Sequence, residues 1–450
     1  MSLDRANIEV ALVGLGVYGN VYLDALLDAR ESKGTTLVAV ADPKPSTSQH
    51  LRELRGRRVP IYDSLEELQK RHTPSLVIVC SPPHLHCEQT IQALKGGSHV
   101  LCEKPLCGDL SQAAAMIRAR DAAGLGVSIG YQWSFSDAVQ SLKRDILCGL
   151  LGRPKHLKTL VLWPRDDMYY RRNDWQGRRY SAQMQPIFDS PLNNACAHHL
   201  HNMMYLLGDA VDRSAAPATV IAETYRAYPI ETFDTVALRV TTTDGIDLDF
   251  IASHVTERSQ GPMFSFEFEN ASVIFVGDQP TPATRDGSSI FARFNDGRVK
   301  GYGSPEKDPF RKLHAAIDSI RNDLPTVCGI EASIPQTLAT AAVHRGEPEA
   351  VDFPKELVRF RGQKGRWRSW VEGLDRTLFE CHQGRCMPHE LGASWAMARK
   401  TTQIEQFSMM MENTRLTPTK PPRKKTVRGS KAVVATAVDA PFREAQREVV

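Results

Sequence analysis

No apolar run in this sequence approaches the ~18 residues of a membrane-spanning helix, so neither a membrane anchor nor a membrane partner is expected. Met1 to Asn7 lack the basic-then-apolar design of an export signal, so a cytoplasmic address is expected. Cysteine is scarce and odd in number: nine residues, scattered without paired spacing, which argues for reduced thiols and against a disulfide framework. Cys381 and Cys386 around His382 form the one local cluster; with too few ligands at zinc spacing, it reads as a loop. A surplus of one charge is also lacking. The net +4 comes from Met411 to Val450, where nine Lys and Arg face four Asp and Glu, leaving the rest of the chain at −1. That near-neutral body has no basic bias toward nucleic acid.

What is present is enough for two globular domains and a tail: 450 residues, 42% apolar and 24% charged. Ile8 to Val13 is a β-type run that leads into Gly14-Leu15-Gly16-Val17-Tyr18-Gly19 and then a helical pattern from Tyr22. In such a strand-turn-helix unit Gly14 makes the tight turn, Gly16 lets the backbone approach a pyrophosphate, and Gly19 allows close helix–strand packing. Val17 and Tyr18 open the helix whose free N–H groups would face the anion. A second strand, Thr36 to Ala41, ends in Asp42, placed for the adenosine ribose hydroxyls. A carboxylate there favours NAD over NADP, although Lys44 nearby keeps NADP open.

The βα alternation continues. Ser75 to Cys80 is a buried-strand run ending in Ser81-Pro82-Pro83-His84-Leu85-His86, a rigid loop on the edge where the nicotinamide end should lie. Ser98 to Leu101 delivers Cys102-Glu103-Lys104-Pro105 at the same edge. Lysine has a reference pKa of about 10.4, but burial and cationic neighbours lower it, so a lysine held rigid beside a ligand crevice is a candidate for proton transfer. Taken alone, Glu-Lys-Pro more often means an exposed lysine before a turn. The preceding hundred residues raise its weight.

Together these motifs, with a later histidine helix, resemble the glucose-fructose oxidoreductase / inositol dehydrogenase (Gfo/Idh/MocA) family over roughly the first 350 residues. The resemblance implies an α/β chain: an N-terminal Rossmann domain binding a nicotinamide cofactor, and a C-terminal α/β domain with a large, mostly antiparallel sheet. It implies Lys104 as the catalytic lysine, a metal-free hydride mechanism and a dehydrogenase acting on CH–OH groups. The cofactor-contact candidates are then Gly14, Gly16, Val17, Tyr18, Gly19, Asp42, Ser81, Pro82, His84, His86, Glu103 and Lys104. The expected boundaries are 1–130 for the Rossmann domain, 131–354 for the substrate and oligomerisation domain, 355–410 for an appendage and 411–450 for a disordered basic tail.

Trp163-Pro164-Arg165, Tyr169-Tyr170 and Arg172 to Trp175 form the richest polar-aromatic stretch. Aromatics beside Arg and Asn stack on a sugar face and bind its hydroxyls; an ordinary loop packed by Trp has equal weight. Asn193 to Gly208 reads as a helix with Asn194, His198, His201 and Asn202 on one polar face. His198 and His201 are at metal-ligand spacing, but no Glu or Cys joins them. Counting back from Gly208 puts the family's catalytic histidine at His198 and its usual aspartate at Asn194, where the acid has become an amide. The substrate-contact candidates are Lys104, Trp163, Arg165, Tyr170, Asn194 and His198, with Lys104 and His198 catalytic. His344, after a helical stretch, is a weaker candidate for return to the cleft. The alternating strands of the second half leave one sheet face for a partner subunit, so a homo-oligomer, dimer or tetramer, is expected. The expected reaction is NAD(P)-dependent hydride exchange with a secondary alcohol of a sugar, cyclitol or polyol. A redox-neutral lyase or glycosidase and a non-catalytic dinucleotide-responsive regulator stay open as alternatives.

Overall fold

The computed structural model describes residues 7–277, 283–284, 286–346, 349–363 and 365–405. The expected tail, 411–450, and Lys364 lie outside the described residues. Six parallel strands form the first sheet: β1 (Ile8–Val13), β2 (Thr35–Ala41), β3 (Ile61–Tyr62), β4 (Leu76–Val79), β5 (His99–Cys102) and β6 (Val127–Ile129), in the order β3-β2-β1-β4-β5-β6. Strands covered on both faces need near-continuous apolar runs, and β4 is Leu-Val-Ile-Val with every residue buried. The order reverses between β1 and β4, and the carboxyl ends there frame a crevice. Gly14, Ser81 and Glu103 follow β1, β4 and β5, so all three motif loops open on that edge.

The second sheet has β7 (Pro154–Leu162), β8 (Pro217–Arg226), β9 (Thr235–Thr242), β10 (Asp247–Ser253), β11 (Gln260–Phe268), β12 (Ala271–Phe275), β13 (Ile290–Phe294), β14 (Val299–Gly303) and β15 (Val351–Asp352). Its order is β14-β13-β12-β11-β7-β10-β9-β8-β15, antiparallel except at β7–β10 and β8–β15. Leu157, Val161, Phe250, Phe264 and Phe266 line one face, in a single core with the Rossmann strands and the helices Ala197–Leu206 and Ile330–Gly346. In chain order the helix Arg311–Asn322 falls in the second half, yet it packs Leu313, Ala316 and Ile317 against β1 and β4 residues of the first sheet. Each large side chain so buried stabilises by roughly 1.5–3 kcal/mol, enough to fix what that helix carries.

Three sequence expectations change. The histidine helix begins at Ala197, so Asn194 stands in the turn before it rather than on its face. Cys381 and His382 are not in a loop but in the last turn of the helix Leu374–Gly384, whose 3.6-residue period carries Leu374, Leu378 and Cys381 to one side. The face of the second sheet left for a partner is covered by the chain itself. Leu374, Leu378, Cys381 and Met387 pack on Leu160, Tyr225, Ala237 and Ile251, while Arg239 pairs with Glu390 and His389 with Glu223. An antiparallel hairpin, β16 (Val358–Gln363) and β17 (Arg366–Val371), leads into that helix, and β18 (Thr402–Gln403) then adds to β8. Among the described residues no helix is long and apolar enough to cross a membrane.

Candidate active site at the carboxyl edge of the parallel sheet

The glycine loop has the shape its residues predict. Gly14 has φ +91°, and a Cβ on it would lie 2.6 Å from the Cys80 carbonyl oxygen; one on Gly19 would lie 2.1 Å from the Gly14 oxygen. A Cβ on Gly16 would meet nothing within 4 Å, so the backbone there faces open space. Gly16 caps the helix Val17–Leu27 without a side-chain hydrogen bond, leaving the first-turn N–H groups for an anion. Val17 beside it is 74% exposed, the highest value among the large apolar side chains described. An open backbone cradle, free N–H groups and an uncovered apolar side chain fit a dinucleotide. Asp42 Oδ2 accepts from the Leu15 N–H at 2.6 Å and Oδ1 from the Lys44 N–H at 2.6 Å, which ties the end of β2 to the loop while each oxygen keeps acceptor capacity for hydroxyls.

The other cofactor candidates divide into crevice residues and braces. Tyr18 turns its hydroxyl to Gln132, at 2.9 Å. His86 is buried, with its ring nitrogens 2.7 Å from the Pro105 oxygen and 2.9 Å from the Ser81 oxygen, so it ties the loop after β4 to the one after β5. Ser81 donates to Gln89 at 2.6 Å, and Pro82 begins the 3-10 turn Pro83–Leu85. His84, in that turn, is half-buried with an unpartnered Nδ1, and burial lowers its pKa.

Glu103 is buried and accepts from the Tyr22 hydroxyl at 2.6 Å. Its ion-pair partner is Lys312 on the helix Arg311–Asn322, itself buried and 2.9 Å from the Tyr18 oxygen. Burial alone would lower the Lys312 pKa, but the Glu103 carboxylate and the Tyr18 oxygen outweigh it and raise it, so Lys312 holds its proton. Lys104 is placed differently. Half-buried between these groups, it points its Nζ to the backbone oxygen of Asn194 at 2.7 Å. Burial lowers its pKa; Glu103 opposes the shift and Lys312 adds to it.

Asn194 joins Lys104 to a second acid. Its amide donates to Asp189 Oδ1 at 2.8 Å and to the Tyr169 oxygen at 3.0 Å. Asp189 is buried, and its other oxygen accepts from the Gly177 N–H at 2.6 Å. Burial pushes its carboxyl up to about 6, against the Gly177 and Asn194 hydrogen bonds and the Lys104 and Arg172 charges. His198 lies edge-on to Tyr131 at 5.9 Å, with no partner for Nδ1 among the described residues. Burial and then the Lys104 and Lys312 charges hold its pKa well below the usual histidine range, so the ring is neutral. The three histidines part company along the helix. His199 sits between the rings of Trp133 and Trp163, and His201 stacks on Tyr131 at 3.9 Å with Ser134 at 3.0 Å from Nε2. His201 is therefore a packed neighbour of His198 rather than its companion in one open pocket, and buried His344 is stacked between Phe188 and Phe233.

Trp163 and Arg165 border a depression of about 360 Å³ with Pro164, Ser259 and Arg368. Arg165 lies 5.1 Å from the Tyr169 ring centre. Tyr170 turns away from that depression, its hydroxyl 3.0 Å from His254 Nδ1, and it lines a second one of about 220 Å³. Sequence reasoning missed Asp189 and Lys312. The amide at 194 was a cue to search for another acid nearby. Nothing local marks Lys312, 209 residues from its partner Glu103.

Fold and site together define a dinucleotide-binding Rossmann protein whose second sheet domain meets the carboxyl edge of the first. Residues 8–131 match the family described as "Oxidoreductase family, NAD-binding Rossmann fold" (GFO_IDH_MocA). Over these residues the chain matches the Gfo/Idh/MocA oxidoreductase model, in agreement with its motifs, and the domain is an NAD(P)-binding one. The D-glucoside 3-dehydrogenase of Escherichia coli is 30% identical over 207 residues, 46% of this chain and 56% of that protein. The 2,7-anhydro-N-acetylneuraminate hydratase of Mediterraneibacter gnavus is 27% identical over 201 residues, 44% of this chain and 50% of that protein. The chain thus spans about half the length of these curated relatives. Among solved structures, the WlbA dehydrogenase of Bordetella pertussis in complex with NADH and UDP-GlcNAcA superposes with a TM-score of 0.61 at 20% identity, over 75% of this chain and 96% of that one. At that identity the likeness concerns the fold.

Proposed function

We propose that this protein is an NAD(P)-dependent oxidoreductase acting on a secondary alcohol of a sugar, cyclitol or related polyol, with Lys104 exchanging the hydroxyl proton and His198 assisting. The observation that carries the reading is the state of Lys104. It is the half-buried ammonium at the crevice, lowered in pKa by burial, while the neighbouring carboxylate of Glu103 is bound by Lys312. When bound, the nicotinamide supplies the hydride acceptor or donor. The chain supplies the rest. Gly14, Gly16 and the first turn from Val17 and Tyr18 hold the pyrophosphate, and Asp42 binds ribose hydroxyls, which favours NAD. Lys104 in its neutral form accepts the proton of the substrate hydroxyl during oxidation and returns it during reduction. His198, neutral, accepts a hydrogen bond from a hydroxyl or a proton in turn. Asp189, once ionised, favours the protonated form of Lys104 through Asn194 and so sets the balance between the two directions.

A second reading is redox-neutral chemistry with the same cofactor, favoured by the relative named as a hydratase. One experiment separates them: an NADH-linked screen of sugars and polyols on the purified, cofactor-loaded chain, repeated with Lys104→Ala. Net NADH from the parent protein, lost in the variant, supports the oxidoreductase. Product formation without net NADH supports the second reading.

A further inference from the structure

The depression bordered by Trp163 is lined by two cations without counter-ions among the described residues. Arg165 follows β7 and Arg368 lies in β17 of the hairpin, and both line the same space with Trp163, Pro164 and Ser259. The Nε of each guanidinium is buried and has no hydrogen-bond partner among the described residues. The two acids that follow Arg165 are bound elsewhere: Asp166 pairs with Arg366, and Asp167 with Arg171. Arg368 is anchored through Nη2 to the backbone oxygens of Thr256, at 3.1 Å, and Glu257. Arg165 is held against the Trp163 and Tyr169 rings, 5.8 and 5.1 Å from their centres. Arginine keeps its charge at any working pH, and no carboxylate is among the residues that line this space. Two guanidinium groups facing one space match a planar or tetrahedral oxyanion.

A short chain of contacts joins this space to Lys104. Arg165 packs on Tyr169, whose oxygen takes the Asn194 amide, and the Asn194 backbone oxygen takes the Lys104 ammonium. Burial raises the pKa of the Cys196 thiol, and the Arg165 and Lys104 charges both oppose that rise. Trp163 packs edge-on against His199, the residue after His198.

We propose that Arg165 and Arg368 form a clamp for an anionic oxygen group, carboxylate or phosphoryl, carried by the substrate, with Trp163 as the adjoining stacking surface and Ser259 as a polar neighbour. The substrate class is then an acidic or phosphorylated sugar derivative rather than a neutral sugar. This rests on the site assignment above and adds the part of the substrate remote from the reacting carbon.

The test uses the full-length, NAD-loaded protein with matched sets such as glucose, glucuronate and glucose 6-phosphate, and the corresponding galactose and mannose compounds. Binding by calorimetry and NADH formation are recorded side by side. The expected result is that an acidic or phosphorylated member binds at least about tenfold tighter than its neutral counterpart, and which one does so identifies the anion. Arg368→Gln should remove that preference, weakening the anionic ligand about tenfold or more, with affinity for the neutral sugar and for NAD within about twofold. Arg165→Gln, on a separate element, should give the same selective loss, and Arg368→Lys, which keeps the charge without the fork, a partial one. The proposal is overturned if no anionic member binds better than its neutral partner, or if both variants weaken neutral and anionic sugars alike. Arg368-dependent binding without NADH formation leaves the clamp standing and counts against the oxidoreductase. NADH formation from neutral sugars that neither variant alters does the opposite.

Discussion

At the scale of single residues, the chemistry rests on which charges Lys104 meets. Glu103 is its sequence neighbour and the obvious partner, yet the carboxylate is bound by Lys312 and Lys104 reaches a neutral carbonyl oxygen. A lysine so placed loses its proton more readily than one paired to an acid. Asp189 works in the other direction. Its carboxyl, pushed up to about 6 by burial, becomes an anion only above that pH, and the anion favours the protonated lysine. Asp189→Asn should therefore remove a titration near pH 6 from the pH–rate profile while leaving cofactor affinity unchanged. A profile that keeps its limb near pH 6 assigns that limb to another group. Asp42→Ala should weaken NAD binding and narrow the preference over NADP; unchanged titrations of both cofactors would make Asp42 only a brace between Leu15 and Lys44. Motif residues were legible in the sequence because each answers a local demand of the backbone, a positive φ at Gly14 and a strand end at Asp42. Asp189 was not, because an acid acting through a neighbouring amide leaves no spacing to count.

At the scale of elements, the informative piece is the helix Arg311–Asn322. Its apolar side joins the first sheet, and that packing places Lys312 against Glu103, Tyr18 and Gly130. Lys312→Met should leave a buried carboxylate unpaired, which costs about 3–5 kcal/mol of stability. It should also raise the Lys104 pKa, since a neighbouring cation is removed and an anion is left. The rise of oxidation rate with pH then moves to higher pH. A denaturant melt and a pH–rate profile on the same variant check both halves, and an unshifted profile would separate Lys312 from Lys104. The strands and helices of the first 130 residues were readable from period, as with the apolar run that becomes the fully buried β4. The return of a helix from position 311 to the first sheet was not, because amphipathic period says that a helix buries a face but not against what. The same limit explains the second sheet. Its outer face carries His156, Lys158, Asp249 and Arg239, an alternation that left room for any partner, and the chain's own helix Leu374–Gly384 supplies it.

At the scale of the whole molecule, burial of neutral histidines gives the fold a defined response to acid. His199, His201, His254 and His344 are each pushed by burial to about 3, far below the ~6.5 of an unfolded chain. Unfolding lets all four take up protons below pH 6.5, so the stability they contribute is present above that pH and is lost as the pH falls toward 3. Asp189 at about 6 and Asp234 at about 7 act oppositely, because the folded state already holds their protons between those values and the ordinary carboxylate range. His198, His86 and His382 are lowered by burial as well, so the histidines outnumber the two acids and unfolding takes up a net excess of protons between pH 6 and 4. Stability should therefore fall with pH across that window, by about 1.4 kcal/mol per pH unit for each net proton. Urea midpoints measured at closely spaced pH values test the slope, and a flat response would mean that these rings are protonated in the folded state.

The account as a whole depends on Lys104 exchanging a proton at the carbon where hydride is transferred. Its most direct test is the steady-state NADH rate of Lys104→Ala beside that of the parent protein, on the best substrate from the screen, with NAD affinity measured on both. The rate should fall by about a hundredfold or more with NAD affinity near normal. A variant that binds NAD and turns over at the parent rate would contradict it.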